Sequence, residues 1–177
     1  MLDRLKNALK NSIELNNTEE FNLLIKEMYP IDIADFLSTN NDTILKSFLK
    51  NTNSEFHAKI LEQASDKLQL RIIRLLDYSE IVVLFKQMSK DDVTDTLESL
   101  PTGIRKNILN EIKGSELTTI EELLGYSKDS AGGIMTTEFI ALNYHLTIDE
   151  ALEKIREIGH RTEVIELIFI LNNNQKL

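Results

Sequence analysis

From Leu2 to about Leu124 apolar residues recur almost throughout at the spacing of one helix face. Leu2, Leu5, Ala8, Leu9 and Ile13 form the stripe of a first helix whose other side carries Lys and Asn. Asn17 and Glu20 make a capping pair, after which Phe21, Leu24, Ile25 and Met28 follow at helical intervals. Pro30 suits the first turn of a third helix that buries Ile33, Phe36 and Leu37. Short helices are predicted next over 42–50, 54–64, 66–76, 79–87, 90–98, 102–113 and 117–124, with Pro101 and Gly114 as punctuation. The pattern is a stack of two- to three-turn helices joined by tight corners.

A repeat underlies the stack. Leu24, Lys26, Met28, Asp32, Asp35 and Leu37 recur without a gap as Leu84, Lys86, Met88, Asp92, Asp95 and Leu97. Amphipathic helices would match in leucine by chance, but not also in Lys, Met and Asp. A long-period helical repeat reads as an α-solenoid, in which each helix pair buries its face against its neighbours.

The pattern breaks after Leu124. The run from Tyr126 to Thr136 is rich in small residues, and Gly132-Gly133 reads as a hinge, or as a point of close packing. No strand-loop-helix context or Lys-Ser/Thr makes it a phosphate loop. Glu138–Asn143 alternates like a strand, and Thr147 with Glu150 opens a helix over Ile148–Ile158 that Gly159 closes. Val164–Leu171 reads as a buried strand ending at the turn-prone Asn172–Asn174. The fold class is therefore mainly α: a solenoid-like superhelix over 1–125, a linker over 126–136 and a truncated α/β segment over 137–177. Three elements are too few to enclose a core, so the last strand offers an edge to a second copy.

Composition narrows the functions. The 177 residues are 42% hydrophobic and 28% charged, as in an ordinary globular chain. A net charge of −9 argues against nucleic acid and against docking on anionic lipid, both of which need Lys and Arg. With no cysteine there is no disulfide, thiolate metal site or Cys nucleophile. No apolar run reaches the ~18–20 residues of a membrane span, and there is no signal-peptide core. His57, His145 and His160 are widely separated without ligand spacing and read as surface or satisfied residues; Met28 and Met88 read as core fillers.

One stretch carries candidate chemistry. Ser89 with Asp92 three residues on is an N-cap and N3 acid. On the helix that follows, Asp91, Asp95 and Glu98 stack along one edge. Like charges at this spacing cost roughly 0.2–0.5 kcal/mol per pair, so a solvated face or a bound cation must offset them. Lys86 and Lys90 are near enough in sequence to neutralise part of the stripe. Asp92 and Asp95 recur as Asp32 and Asp35, whereas Asp91 is replaced by Ile31, which makes Asp91 the sharpest functional candidate.

Ser130-Ala-Gly-Gly-Ile-Met-Thr136, with Tyr126 before it and Thr147-Ile-Asp-Glu-Ala-Leu and Ile165–Leu171 after it, resembles the cytosolic part of the MgtE family of magnesium channels and transporters. Met88–Asp95 and Leu97-Glu-Ser-Leu-Pro101 resemble that family's N-terminal helical domain. The resemblance spans nearly the whole chain. It implies a helical superhelix followed by the start of the first CBS module, with the second module and the transmembrane pore absent. It also implies a cytosolic regulatory region, without enzymatic activity, whose acidic residues share Mg²⁺ with the missing CBS domains so that the pore closes when Mg²⁺ is high. The matching residues are Asp91, Asp92 and Asp95, with Asp32 and Asp35 in the first repeat; Glu98 extends the edge. The expected partners are Mg²⁺, bound weakly by this fragment alone, the missing CBS and transmembrane domains, and a second copy. The fragment itself is expected to be soluble at the cytoplasmic membrane face, touching neither membrane nor nucleic acid. The competing reading is a helical-repeat interaction module without metal sensing; a metal-dependent hydrolase lacks a nucleophile-base pair.

Overall fold

Caps fix where the helices start. The structure, a computed structural model, describes residues 1–159, 164–174 and 176–177, with the backbone alone at 164–166. Ten helices come first: α1 Leu2–Glu14, α2 Thr18–Glu27, α3 Pro30–Thr39, α4 Asp42–Lys50 and α5 Ser54–Glu62, then α6 Asp66–Ile73, α7 Tyr78–Phe85, α8 Lys90–Ser99, α9 Thr102–Glu111 and α10 Ser115–Leu124. The side chains of Asn17, Asn41 and Asn53 accept from the backbone N–H of Glu20, Ile44 and Phe56, each satisfying a donor that a first turn leaves without a partner. Pro30 sits in the first turn of α3, where its missing N–H costs nothing. Asp77 and Glu80 close a reciprocal capping box on α7.

The period is shorter than the sequence match suggested. From α2 to α9 the helices begin at Thr18, Pro30, Asp42, Ser54, Asp66, Tyr78, Lys90 and Thr102, a step of twelve residues for each helix and corner. Leu24 and Leu84 lie five steps apart, so the repeating unit is one helix and not a pair. Helices of this length are unstable alone and persist because one face is packed. Here α3 packs on α5 and α6, α5 on α7, α7 on α9, α6 on α8 and α8 on α10, while α1 contacts α2, α3 and α4. Helices two steps apart thus stack on each other, as in a solenoid.

Leu37, Leu45, Phe48, Leu61, Leu68, Ile72, Ile81, Phe85 and Leu97 are buried in one continuous cluster. The Phe48 ring meets Phe21 edge-on at 5.6 Å and Phe56 at 6.1 Å, burial that stabilises by about 2–3 kcal/mol per ring. Met28 and Met88 fill the same core. Polar contacts stitch helices together at a recurring interval: Lys6 with Asp35, Arg71 with Asp42 and Tyr78 with Asn107 are 29 residues apart, and Gln69 with Ser99 is 30.

Beyond α10 come β1 Phe139–Asn143, α11 Ile148–Ile158 and β2 Val164–Leu171. The two strands pair in parallel, Ile140 opposite Ile168 and Asn143 opposite Leu171. Thr147 and Glu150 form the expected capping box. Ile140 and Leu142 are buried, but Leu167, Ile168 and Ile170 are exposed, so β2 is not the buried strand its composition predicted. The reason is coverage: α11 contributes no buried residue and the sheet has two strands among the described residues, too few to seal both faces. No helix among the described residues is long and apolar enough to cross a membrane.

Candidate functional site

Helix α8 buries Val93, Thr94, Thr96 and Leu97, and it packs on α6 and α10. That packing turns Asp91, Asp95 and Glu98 outwards along one edge. At its start Ser89 Oγ accepts from Asp92 N–H at 3.3 Å and donates to Asp92 Oδ2 at 2.8 Å. The Asp92 carboxylate is therefore committed to the helix cap, as the sequence suggested.

The residues after α10 fold back on this edge. Ser130 N–H and its Oγ–H both donate to Ser127 C=O, at 2.9 and 2.7 Å. Gly133 N–H donates to Ser130 C=O at 3.0 Å. A Cβ on Gly133 would stand 2.2 Å from Ser127 O and 2.9 Å from Lys128 Cα, and one on Gly132 2.5 Å from the Tyr126 ring. Close packing thus accounts for both glycines. The turn delivers Lys128 Nζ to 3.1 Å from Glu98 Oε2, and farther along Thr136 Oγ1 donates to Asp91 Oδ1 at 3.2 Å. Lys90 does not neutralise the stripe as expected, because it reaches away to pair with Glu116 of α10 at 3.0 Å. The cation that does so, Lys128, was missed in sequence because it lies in a separate, small-residue segment. The one available signal was its spacing of thirty residues from Glu98, close to the 29 or 30 residues of the other stitches.

Asp91, Asp95 and Glu98 line one narrow cleft with Lys128, Gly132 and Gly133, about 10 Å³ in volume, room for about one water. Asp95 also lines a wider groove of about 380 Å³ with Asp66, Asp92 and Lys128. Partial burial pushes the Asp95 carboxyl above its ordinary value; Lys128 opposes this, and Glu98, Asp92 and Asp91 add to it. The hydrogen bond and charge of Glu98 hold the Lys128 ammonium above its ordinary value. Asp32 and Asp35 lie on α3 and line neither cleft; Asp35 pairs with Lys6 of α1. Carboxylate oxygens suit a hard divalent cation, yet no three His, Asp or Glu side chains converge as a metal-holding group among the described residues. This face supplies at most part of a coordination shell, with water or other groups completing it.

Of the histidines, His57 is buried, with Nε2 2.8 Å from Thr52 Oγ1 and 3.1 Å from Leu49 O. His145 is exposed and stacks on Tyr144, and His160 lies outside the described residues. Neither described ring joins the acidic edge.

Residues 28–129 match the profile of a family described as the MgtE intracellular N domain. The chain is 21% identical over 158 residues to the magnesium transporter MgtE of Bacillus subtilis, covering 89% of this chain and 35% of that protein. It is 23% identical over 186 residues to MgtE of Thermus thermophilus, covering 100% of this chain and 40% of that protein. The chain thus spans well under half the length of these relatives. Its fold matches a crystal structure of the soluble part of a magnesium transporter, with a TM-score of 0.90 at 18% identity over 100% of this chain and 70% of that one. It also matches the cytosolic domain of the Mg²⁺ channel MgtE in complex with ATP, with a TM-score of 0.87 at 20% identity over 97% and 71%.

Proposed function

The chain belongs to the family of the MgtE intracellular N domain, and on that premise we propose that it is the cytosolic Mg²⁺-sensing regulatory region of a magnesium channel or transporter. Residues 1–125 act as the helical domain, 126–136 as the linker and 137–177 as the start of a CBS module. The observation that carries the reading is that Asp91, Asp95 and Glu98 share one outward cleft beside the segment leading towards β1.

Mg²⁺ keeps much of its water and takes one or two carboxylates from a protein. An edge of this kind binds it weakly alone and better when a second acidic face closes over it. Binding is then coupled to the approach of two domains, which is what a sensor requires. When Mg²⁺ is scarce, Asp91, Asp95 and Glu98 repel the opposing carboxylates and the domains part. Asp92 supports the helix start, and Asp32 and Asp35 are secondary candidates on α3. CBS and transmembrane domains, or a second copy pairing with β2, are the partners, at the cytoplasmic face of the membrane. No catalytic role belongs to this reading. It is tested by small-angle scattering on a protein in which this region precedes complete CBS modules, where failure of Mg²⁺ to compact it contradicts the proposal.

A further inference from the structure

We propose that the Lys128 ammonium is the resident counter-ion of the α8 carboxylate edge, clasping the linker to it, and that a divalent cation engages this edge by displacing Lys128. The inference rests on the reading of α8 as the Mg²⁺-facing surface and concerns how that surface is regulated.

Lys128 lines the narrow cleft and the wider groove together with Asp95. Its Nζ pairs with Glu98 at 3.1 Å, and Asp95 and Asp66 also attract it. Glu98 is 17% exposed while the Lys128 side chain is 64% exposed, so the acid is fixed and the base is free to leave into water. The position of the lysine is built in: Gly133 passes so close to Ser127 O and Lys128 Cα that a side chain there would push the turn open. At the far end of the edge, Thr136 holds Asp91. The linker therefore spans the stripe from Glu98 to Asp91, with Asp95 between its two attachments.

Two cations cannot share this edge cheaply. A divalent ion beside Asp95 and Glu98 would face the ammonium at short range, and like charges so placed repel. Displacement releases the linker, so the concentration at which Mg²⁺ engages α8 also sets when the linker is freed. Lys128 is thus a positioning residue that raises the Mg²⁺ threshold.

The test follows the whole chain by ¹⁵N NMR during Mg²⁺ titration at constant ionic strength, reading α8 amide shifts and linker relaxation. Lys128→Gln is expected to lower the Mg²⁺ midpoint at Asp91, Asp95 and Glu98 about 3- to 10-fold, since a divalent ion feels twice the interaction of an exposed unit pair. It is also expected to loosen residues 126–136 without Mg²⁺, whereas Lys128→Arg does neither. Lys26→Gln, an equal charge change on exposed α2, leaves the midpoint in place. A midpoint unmoved by Lys128→Gln, or moved as far by Lys26→Gln, overturns the displacement proposal and leaves the sensor reading standing. No Mg²⁺ response on α8 in either wild type or Lys128→Gln overturns the displacement proposal, while the sensor reading stands or falls on compaction of the protein with complete CBS modules.

Discussion

Glu98 and Lys128 meet at 3.1 Å although thirty residues separate them, the interval at which Gln69 meets Ser99 and close to that of Arg71 with Asp42. The shared spacing follows from the twelve-residue step. Two steps bring the chain back beside a helix, and a few residues more carry a polar side chain to its exposed end. The linker therefore docks on α8 in the way each successive helix docks on its predecessors.

Arg71 is the strongest of these stitches. Its guanidinium donates to Asp42 Oδ1 at 2.9 Å and to the carbonyls of Leu37, Ser38 and Asn40, satisfying the end of α3 that no helix partner reaches. Arg71→Ala is expected to cost about 1–3 kcal/mol in urea unfolding, and Arg71→Lys to recover little of it, because one ammonium cannot reproduce the fork.

Gly133→Ala and Gly114→Ala should each destabilise, the first the linker and the second the α9–α10 corner, for different reasons. The first puts a methyl into backbone atoms, a clash costing about 1–3 kcal/mol. The second meets open space but carries the strain of a φ of +72° with a ψ of −150°, a region essentially confined to glycine and costing about 1–3 kcal/mol. Thermal unfolding should show both losses, and hydrogen exchange should quicken across 126–136 for Gly133→Ala alone.

His57 makes stability depend on pH. Burial lowers its pKa below 6.5, against the Leu49 carbonyl and Glu80, which raise it. The unfolded chain therefore takes up the proton first. The stability held by neutral His57 is complete above 6.5 and is lost as pH falls through that value towards the lower folded pKa. Between about pH 7 and pH 5.5 the wild type should lose stability, and His57→Gln should flatten the slope.

Asp95 has the opposite sign. Its folded pKa is raised, so its contribution is complete below 3.8 and is lost as pH rises through the folded value. Asp95→Asn should accordingly raise stability at neutral pH. Solvent screening of this mostly open group limits the gain to about 0.5 kcal/mol. A residue that costs stability and lies on a helix edge fits a functional role better than a structural one.

The sequence was most legible where local chemistry decides. Asn17, Pro30, Ser89 and Thr147 mark helix starts through caps that act within four residues, and the structure places helices at each. The strand–helix–strand order of β1, α11 and β2 was equally readable from its periodicity and caps. The outward face of β2 was not, since burial depends on layers that no local pattern encodes. Nor were the partners of the acidic edge: Lys90 was the near cation in sequence, yet helix packing sends it to Glu116 and brings in Lys128. The true period also stayed hidden. The matched Lys, Met and Asp stood out five steps apart, while the single-helix unit repeats caps and burial more than residue identities.

Sensing of Mg²⁺ by the α8 edge through domain approach predicts a change in the radius of gyration of a protein carrying this region ahead of complete CBS modules. Millimolar Mg²⁺ should compact the wild type beyond a control of matched ionic strength, and Asp91→Asn with Asp95→Asn should shift that compaction to higher Mg²⁺. An unchanged radius of gyration, or compaction indifferent to both substitutions, would contradict the account.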